Sequence, residues 1–561
     1  MKKFLLSILL TVVSFQLFGK TERNELHERI FVQTDKQLYL AGEFVLMKLF
    51  TTGTEQIPLV FSKVAYVELV DDSLAKQQIK VELINGAGEG IMQLPAYLQT
   101  GYYRLITYTQ LMRNEGEEVF FEKNIGIVNT FQSGDYYVDM EQKEQFSLQD
   151  ESNYGAVSLR SDKEIYATRD RGELILTGLP DNIHSLSVSI AGKELIPVAD
   201  PDVSLLRKNS LKKSLEYTGE YLPEYEGHII TGKIIDNQTG NPVLDKVSIT
   251  TGLSFSGDGI RFFPGQQNKT GDVRFITSGI SGIKEIATVA DDPDEKLRVD
   301  IQSPFVSRFA SKPMPVLHID SVHYSQLLAR SVALQLLHYF SNDSLDNHTV
   351  SEPHFKMKPT WSYLLDEYTR FTTMREVFTE FIKEGGFRRR DGKWEISIIV
   401  KRSDNTVQYS MPLVFLDGVP ILDHEIVFNY DPLTVEKINV YHVPSLMGGY
   451  KFDGIIELIT YDKLHQDLNL NKSTQIVPYE GPQLHHQFHT PDYSDEKNRR
   501  SRIPDGRHTL LWNPDVQTDG KSFATLPFDT SDLTGEFQAT VEGITKEGEI
   551  IFATFSFNVI K

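Results

Sequence analysis

Thr34-Asp35-Lys36-Gln37-Leu38-Tyr39, followed by Ala41-Gly42-Glu43 and the apolar run Phe44 to Phe50, is matched later in the chain by a second stretch. That stretch is Ser161-Asp162-Lys163-Glu164-Ile165-Tyr166, followed by Gly172-Glu173-Leu174-Ile175-Leu176. The shared Asp-Lys-x-x-Tyr core recurs 127 residues on (162 − 35 = 127), the spacing of one sandwich domain and a linker. Around both copies β-branched and aromatic residues alternate, and Gly and Asp punctuate the turns. The pattern predicts two tandem β-sandwiches, over 27–130 and 154–222, joined by the polar, acidic stretch Gln142 to Asn153.

With 561 residues the chain has room for about four domains. Hydrophobic residues make up 40%, with 24 Tyr and 33 Phe, enough for packed cores. The net charge of −20 repels nucleic-acid phosphates and matches anionic headgroups poorly. The count of 0 Cys excludes disulfides, thiolate metal sites, cysteine nucleophiles, a thioester and a lipoprotein anchor. Lys2 and Lys3 followed by the apolar run Phe4 to Phe18 read as a signal peptide over 1–19, with cleavage after Gly19, although Leu17 is larger than usual before such a site. No second apolar run of about 18 residues occurs, so the expected mature chain is exported, in the periplasm or at the outer membrane, and does not itself span a membrane.

Further β signals follow. Ile229 to Asp236, Thr239-Gly240-Asn241-Pro242-Val243, Val247-Ser248-Ile249 and Asn268 to Phe275 predict a third sandwich over 227–306. Tyr324, Leu327, Leu328, Val332, Leu336 and Phe340 fall at helical spacing. A second helix is marked by the Thr373-x-x-Glu376 capping box and the apolar face Met374, Val377, Phe378 and Phe381, with Gly385-Gly386 as its stop. A strand from Trp394 to Lys401 leads to Met411 to Ile421, then Asp431-Pro432, Val435 to Tyr441, Gly448-Gly449 and Phe452 to Tyr461. Together these predict an α+β unit over 320–463. A polar linker over 464–502 and a last β module over 503–561 complete the expected order.

Four of these segments resemble known families. The first sandwich, with Leu94-Pro95 and the late strand Thr100-Gly101-Tyr102-Tyr103-Arg104-Leu105-Ile106-Thr107-Tyr108, resembles a macroglobulin-type immunoglobulin-like domain. The unit over 227–306 resembles a carboxypeptidase-regulatory-like domain, a structural module without catalytic zinc. The order Leu416-Asp417-Gly418-Val419-Pro420, Val435-Glu436-Lys437-Ile438, Ile455-Ile456-Glu457-Leu458-Ile459-Thr460 resembles the plug of TonB-dependent receptors. The last module resembles late domains of macroglobulin chains. In the receptors a barrel of about 22 strands follows the plug, which at roughly ten residues a strand needs well over 200 residues. Here 100 residues follow Tyr461 (561 − 461 = 100), so the resemblance implies binding or docking rather than transport. The expected fold is mainly β: tandem immunoglobulin-like sandwiches plus a small α+β plug-like domain. Its expected interacting edge is the pair of turns Gly418-Val419-Pro420 and Gly448-Gly449-Tyr450.

Catalytic signals are sparse. His485, His486 and His489 are the tight histidine group, in a polar stretch without a fixed third ligand. Asp417 before Gly418 suits a turn, where its carboxylate bonds local backbone. Arg388-Arg389-Arg390 is a basic run in an acidic chain, a solvated loop or a docking spot for an acidic partner. Asp72-Ser73-Leu74, Asp320-Ser321-Val322 and Asp343-Ser344-Leu345 match a short O-glycosylation triplet. No nucleophile elbow, phosphate loop or His-Glu-x-x-His motif occurs. The expectation is a non-enzyme without catalytic residues, metal or cofactor, whose partner is an outer-membrane barrel or envelope protein complex and not nucleic acid. The alternative is a macroglobulin-like protease-binding (endopeptidase inhibitor) or defence protein, disfavoured by the missing thioester and the short length.

Overall fold

The computed structural model describes residues 27–53, 57–132, 157–193, 217–340, 358–401, 407–463, 470–483, 488 and 490–561, less a few short gaps inside these ranges. The protein is mainly β. In the first sandwich, strands Arg29–Thr34, Phe44–Thr52 and Ala87–Gln93 form one antiparallel sheet. Leu38–Leu40, Phe121–Val128, Gly101–Tyr108, Val64–Asp71 and Leu74–Glu82 form the other, in that spatial order. Val32, Tyr39, Met47, Leu49, Val67, Leu105 and Ile125 fill the space between them.

The second sandwich is built from two distant pieces of chain. Its larger sheet runs Ile165–Ala167, Ile550–Ile560, Gly535–Thr545, Ile183–Gly192, Thr509–Asn513, and its smaller sheet Phe523–Asp529, Arg171–Thr177, Ser158–Ser161. The expectation of separate modules over 154–222 and 503–561 is therefore corrected: they are halves of one domain. The N-terminal half offers four strands, whose Leu159, Leu174, Leu176, Val188 and Ile190 need a cover. Leu510, Phe528, Phe537, Val541 and Phe557 supply it.

The repeated motif has the same local job in both sandwiches. Tyr39 is buried and its hydroxyl donates to Asp35 Oδ1 at 2.8 Å. Tyr166 is buried and donates to Asp162 Oδ1 at 2.5 Å. Each tyrosine sits in a three-residue strand paired in parallel with the last strand of its sandwich: Leu38–Leu40 with Gly126–Val128, and Ile165–Ala167 with Asn558–Ile560.

The third sandwich combines Gln266–Gln267, Asp272–Ile276, Ile229–Asp236 and Leu297–Ile301 with Phe262–Pro264, Thr251–Phe255, Ile283–Ala290 and Thr474–Glu480. The last strand comes from the stretch expected to be a linker over 464–502, a second correction. It pairs antiparallel with Ile283–Val289, and Val477 and Tyr479 join the apolar core.

Between Leu297–Ile301 and Thr474–Glu480 the chain makes an α+β unit. Its main sheet runs Trp361–Leu364, Val435–Tyr441, Ile455–Thr460, Leu413–Leu416, Val419–Ile421. A smaller sheet runs Gly385–Arg390, Lys393–Lys401, Val407–Ser410. The helix Met374–Glu380 starts at Thr373, whose side chain accepts from Glu376 N at 3.3 Å, the expected cap. It ends before Gly385-Gly386, which open a strand instead of stopping the helix.

The helix Tyr324–Phe340, α1, does not belong to that unit, contrary to the grouping 320–463. Leu327 and Leu334 pack on Leu38, Leu40 and Val128 of the first sandwich. Arg330 Nε and Nη2 donate to the two oxygens of Glu43 at 2.9 and 2.8 Å. Burial pushes the Glu43 carboxyl up, but Arg330 and Lys36 outweigh it and hold it well below the usual carboxylate range.

The domains are thus nested: the inserted unit interrupts the third sandwich, which interrupts the second. Truncation after Arg502 should abolish amide-exchange protection in Ser158–Gly192 and leave that of Phe44–Thr52 in place. Retained protection in both segments would show that the N-terminal half of the second sandwich closes on its own.

Candidate interaction face on the inserted unit

The Leu416-Asp417-Gly418-Val419 hairpin has two central residues with positive φ, 47° at Asp417 and 82° at Gly418, the geometry of a two-residue turn matched to strand twist. Asp417 is buried, and its carboxylate accepts from Thr460 N at 2.8 Å and Thr460 Oγ1 at 2.6 Å. It is a structural turn residue. The outside of the turn meets the third sandwich. Gly257 N donates to Asp417 O at 3.0 Å, and the Ser254 hydroxyl donates to Gly418 O. A Cβ placed on Gly418 would lie 2.4 Å from Phe255 O. Beside the turn, Phe415 meets Phe262 edge to face, with centroids 6.0 Å apart, in an apolar core that also holds Ile260, Val289 and Ile455.

The expected interacting edge is corrected accordingly. Gly418, Val419 and Pro420 are buried within the chain, because the third sandwich occupies the side on which a partner would dock. Gly448 and Gly449 lie outside the described residues, as do His485, His486 and His489. Tyr450 begins the strand Tyr450–Phe452, paired with Ser445–Met447. Of the glycosylation triplets, Ser73 is 4% exposed, so its hydroxyl cannot carry a glycan in this fold. Asp320-Ser321-Val322 and Asp343-Ser344-Leu345 lie outside the described residues.

What the unit does expose is one face of its smaller sheet. Strand alternation sends Phe387, Ile396 and Ile398 inward, toward Met374, Val377 and Phe378. It sends Arg388, Arg390, Lys393 and Tyr409 outward. Arg388 stands opposite Glu395, and Arg390 opposite Lys393. The Arg388 guanidinium lies 3.2 Å from the centroid of the Tyr409 ring, which is 49% exposed. Arg390 reaches Glu395 only at 3.9 Å, and Lys393 reaches Asp423 at 3.6 Å; both cations remain largely in solvent, where such pairs contribute little. Three cations against Glu395 and the flanking Asp423 make a basic, aromatic face on an acidic protein. Arg389 falls on the other side, its Nε donating to Gly392 O at 3.3 Å. The basic run was visible in the sequence. Its alternation with Tyr409 and Lys393 was not, because the hairpin register that aligns them comes from pairing.

This sheet is fixed to its unit by His424, at the start of the helix His424–Phe428. The buried His424 Nδ1 accepts from Ile396 N at 3.0 Å, which requires a neutral ring. Burial lowers its pKa to about 4, against a smaller upward pull from Asp423. Among the described residues no group of three or more His, Asp or Glu side chains could hold a metal ion.

No protein-family model matches the chain, and no curated protein matches it. Among solved structures, Salmonella alpha-2-macroglobulin reacted with methylamine aligns with 95% of this chain and 39% of its own, at 10% identity and a TM-score of 0.24. Trypsin-activated alpha-2-macroglobulin from Escherichia coli aligns with 96% of this chain and 42% of its own, at 10% identity and a TM-score of 0.23. The Escherichia coli adhesin FdeC aligns with 52% of this chain and 64% of its own, at 9% identity and a TM-score of 0.13. The chain spans about two fifths of the macroglobulins it aligns with. Likeness at these scores carries no argument, and the fold stands on the strand pairings themselves.

Two measurements check this architecture. Gly418→Ala should lower unfolding stability by about 2 kcal/mol in denaturant titration, since the new Cβ meets a carbonyl oxygen in a left-handed backbone region; an unchanged midpoint would mean the two units separate freely at the turn. The neutral His424 contributes stability that is fully present above pH 6.5 and is lost as pH falls toward 4, because the unfolded chain binds the proton first. His424→Gln should therefore show a shallower loss of melting temperature between pH 7 and 4 than the parent chain, and parallel curves would rule that role out.

Proposed function

We propose that this chain is a non-catalytic, exported protein of the cell envelope that docks an acidic envelope partner through the basic, aromatic face of its plug-like unit. The β-sandwiches act as a rigid mount. The observation that carries the reading is the outward row of Arg388, Arg390 and Lys393 beside Tyr409 in a chain of net charge −20. Such a face attracts a negatively charged surface. The motif order of the unit supports a plug-like docking module, and the sealed Asp417–Gly418 turn means that docking cannot use that edge without first parting two packed units. Among the described residues no helix is long and apolar enough to cross a membrane. The partner that fits is an outer-membrane barrel or envelope complex with an acidic surface, outside the nucleic-acid class.

The test is a triple charge reversal, Arg388→Glu, Arg390→Glu and Lys393→Glu, in the full chain. All three side chains are exposed, so the melting temperature should hold. Co-purification with envelope complexes from native membranes should fall by about tenfold or more at low salt, and the parent's own yield should fall as salt is raised. Equal yields of the same partners from parent and variant would place docking elsewhere in the molecule.

A further inference from the structure

The smaller sheet of the inserted unit ends in a free edge. Asp391 and Gly392, with φ of 47° and 87°, make the two-residue turn between Gly385–Arg390 and Lys393–Lys401. In such a hairpin the residues that flank the turn exchange both backbone bonds. Arg390 therefore does so with Lys393, and alternation gives Arg388 with Glu395 and Gly386 with Ser397. The bond from Ile399 N to Glu384 O, at 2.7 Å, continues the same phase. Gly385, Phe387 and Arg389 consequently aim their N–H and C=O groups away from Lys393–Lys401. Among the described residues no strand pairs with that side.

Proteins commonly blunt such an edge with a bulge, a proline or a covering segment. Here the register runs unbroken from Gly385↔Ile398 to Arg390↔Lys393, and the strand GGFRRR contains no proline. A Cβ on Gly386 would meet nothing within 4 Å, so the approach is open at that residue. The strand is also held still. Phe387 packs edge to face on Phe378 and Phe428, with centroids 5.0 and 5.2 Å away.

Charge selects the occupant. Arg389 and Arg390 are exposed and stand on opposite faces of the strand, while Arg388 lies on Tyr409. Successive side chains of an added strand also alternate between faces. Two neighbouring acidic residues would therefore meet Arg389 on one face and Arg390 on the other. A second copy adding antiparallel through the same strand would set arginines against arginines, which is unfavourable.

We propose that the free edge of Gly385–Arg390 takes up, as an added β-strand, an extended segment of the envelope partner with consecutive Asp or Glu residues. The inference rests on docking through the basic face and supplies how the partner is held: main-chain bonds give the grip and the arginines the selectivity.

The probe is the peptide acetyl-Thr-Val-Glu-Glu-Glu-Val-Thr-amide, compared with the same peptide N-methylated at its three Glu residues. The two carry equal charge, but the second cannot donate from those positions. The full chain should bind the first about tenfold more tightly at low salt, and saturation should slow amide exchange at Phe387 and Arg389 by about tenfold. Arg389→Pro removes an N–H that faces solvent, which an edge strand tolerates, so the melting temperature should hold while the preference between the peptides disappears. Arg389→Gln should weaken both peptides and keep the preference. If Arg389→Pro fails to fold, the two peptides and the exchange rates decide on the parent chain. Equal binding of both peptides, or unchanged exchange at Phe387 and Arg389, overturns strand addition. Docking by charge alone then stands if the triple reversal at Arg388, Arg390 and Lys393 still abolishes binding. A parent chain that binds neither peptide also overturns strand addition, and co-purification with the charge-reversed variant then decides the docking reading by itself.

Discussion

One long pairing brings distant parts of the chain together: strand Ile183–Gly192 lies antiparallel to Gly535–Thr545, from Ile183↔Thr545 to Gly192↔Phe537. That ladder closes the second sandwich and fixes the two ends of all the chain inserted between them. Closing a large loop costs little more than closing a moderate one, because the entropy grows only with the logarithm of its length. An insertion that folds into its own cores offsets the closure cost with its own buried area. The same logic applies one level in, where Ile283–Ala290 pairs with Thr474–Glu480 and fixes the ends of the segment that carries the inserted unit.

Polar contacts then set how the domains meet. Asp35 and Asp162 both receive a tyrosine hydroxyl, but the second Asp35 oxygen also accepts from Thr509 Oγ1 at 2.6 Å, across to the second sandwich. A motif that is local in one domain becomes a tie between domains in the other. The first and third sandwiches share a buried cluster in which Glu224 takes the Tyr66 hydroxyl at 3.0 Å and His228 Nδ1 at 2.8 Å, and His228 Nε2 meets the Tyr479 hydroxyl at 2.5 Å. Buried polar groups are costly unless satisfied, so clusters of this kind favour one relative placement over others of similar area.

That fixed placement decides what the molecule can present. The Asp417–Gly418 turn, sealed by Ser254 and Gly257, leaves the inserted unit no freedom to offer that edge, and the open sheet face with Arg388 and Tyr409 becomes its outward chemistry. On another side, α1 is carried as a rigid ridge by Glu43 and Gly506. Both stand in a chain that is acidic overall.

The sequence by itself determined the local grammar. The β class, the Asp-Lys-x-x-Tyr turns, the Thr373 cap, the hairpin at Asp417-Gly418 and the basic run at Arg388 were legible because each depends on a few neighbouring residues and their hydrogen bonds. The tertiary structure alone decided which strands share a sheet. Ile165–Ala167 could not announce Asn558–Ile560 as its partner, because period-two alternation specifies a buried face and not what buries it. For the same reason the apolar Val419 reads alike whether its cover is its own sheet, the third sandwich or another protein, and only the packed fold shows that the cover is internal.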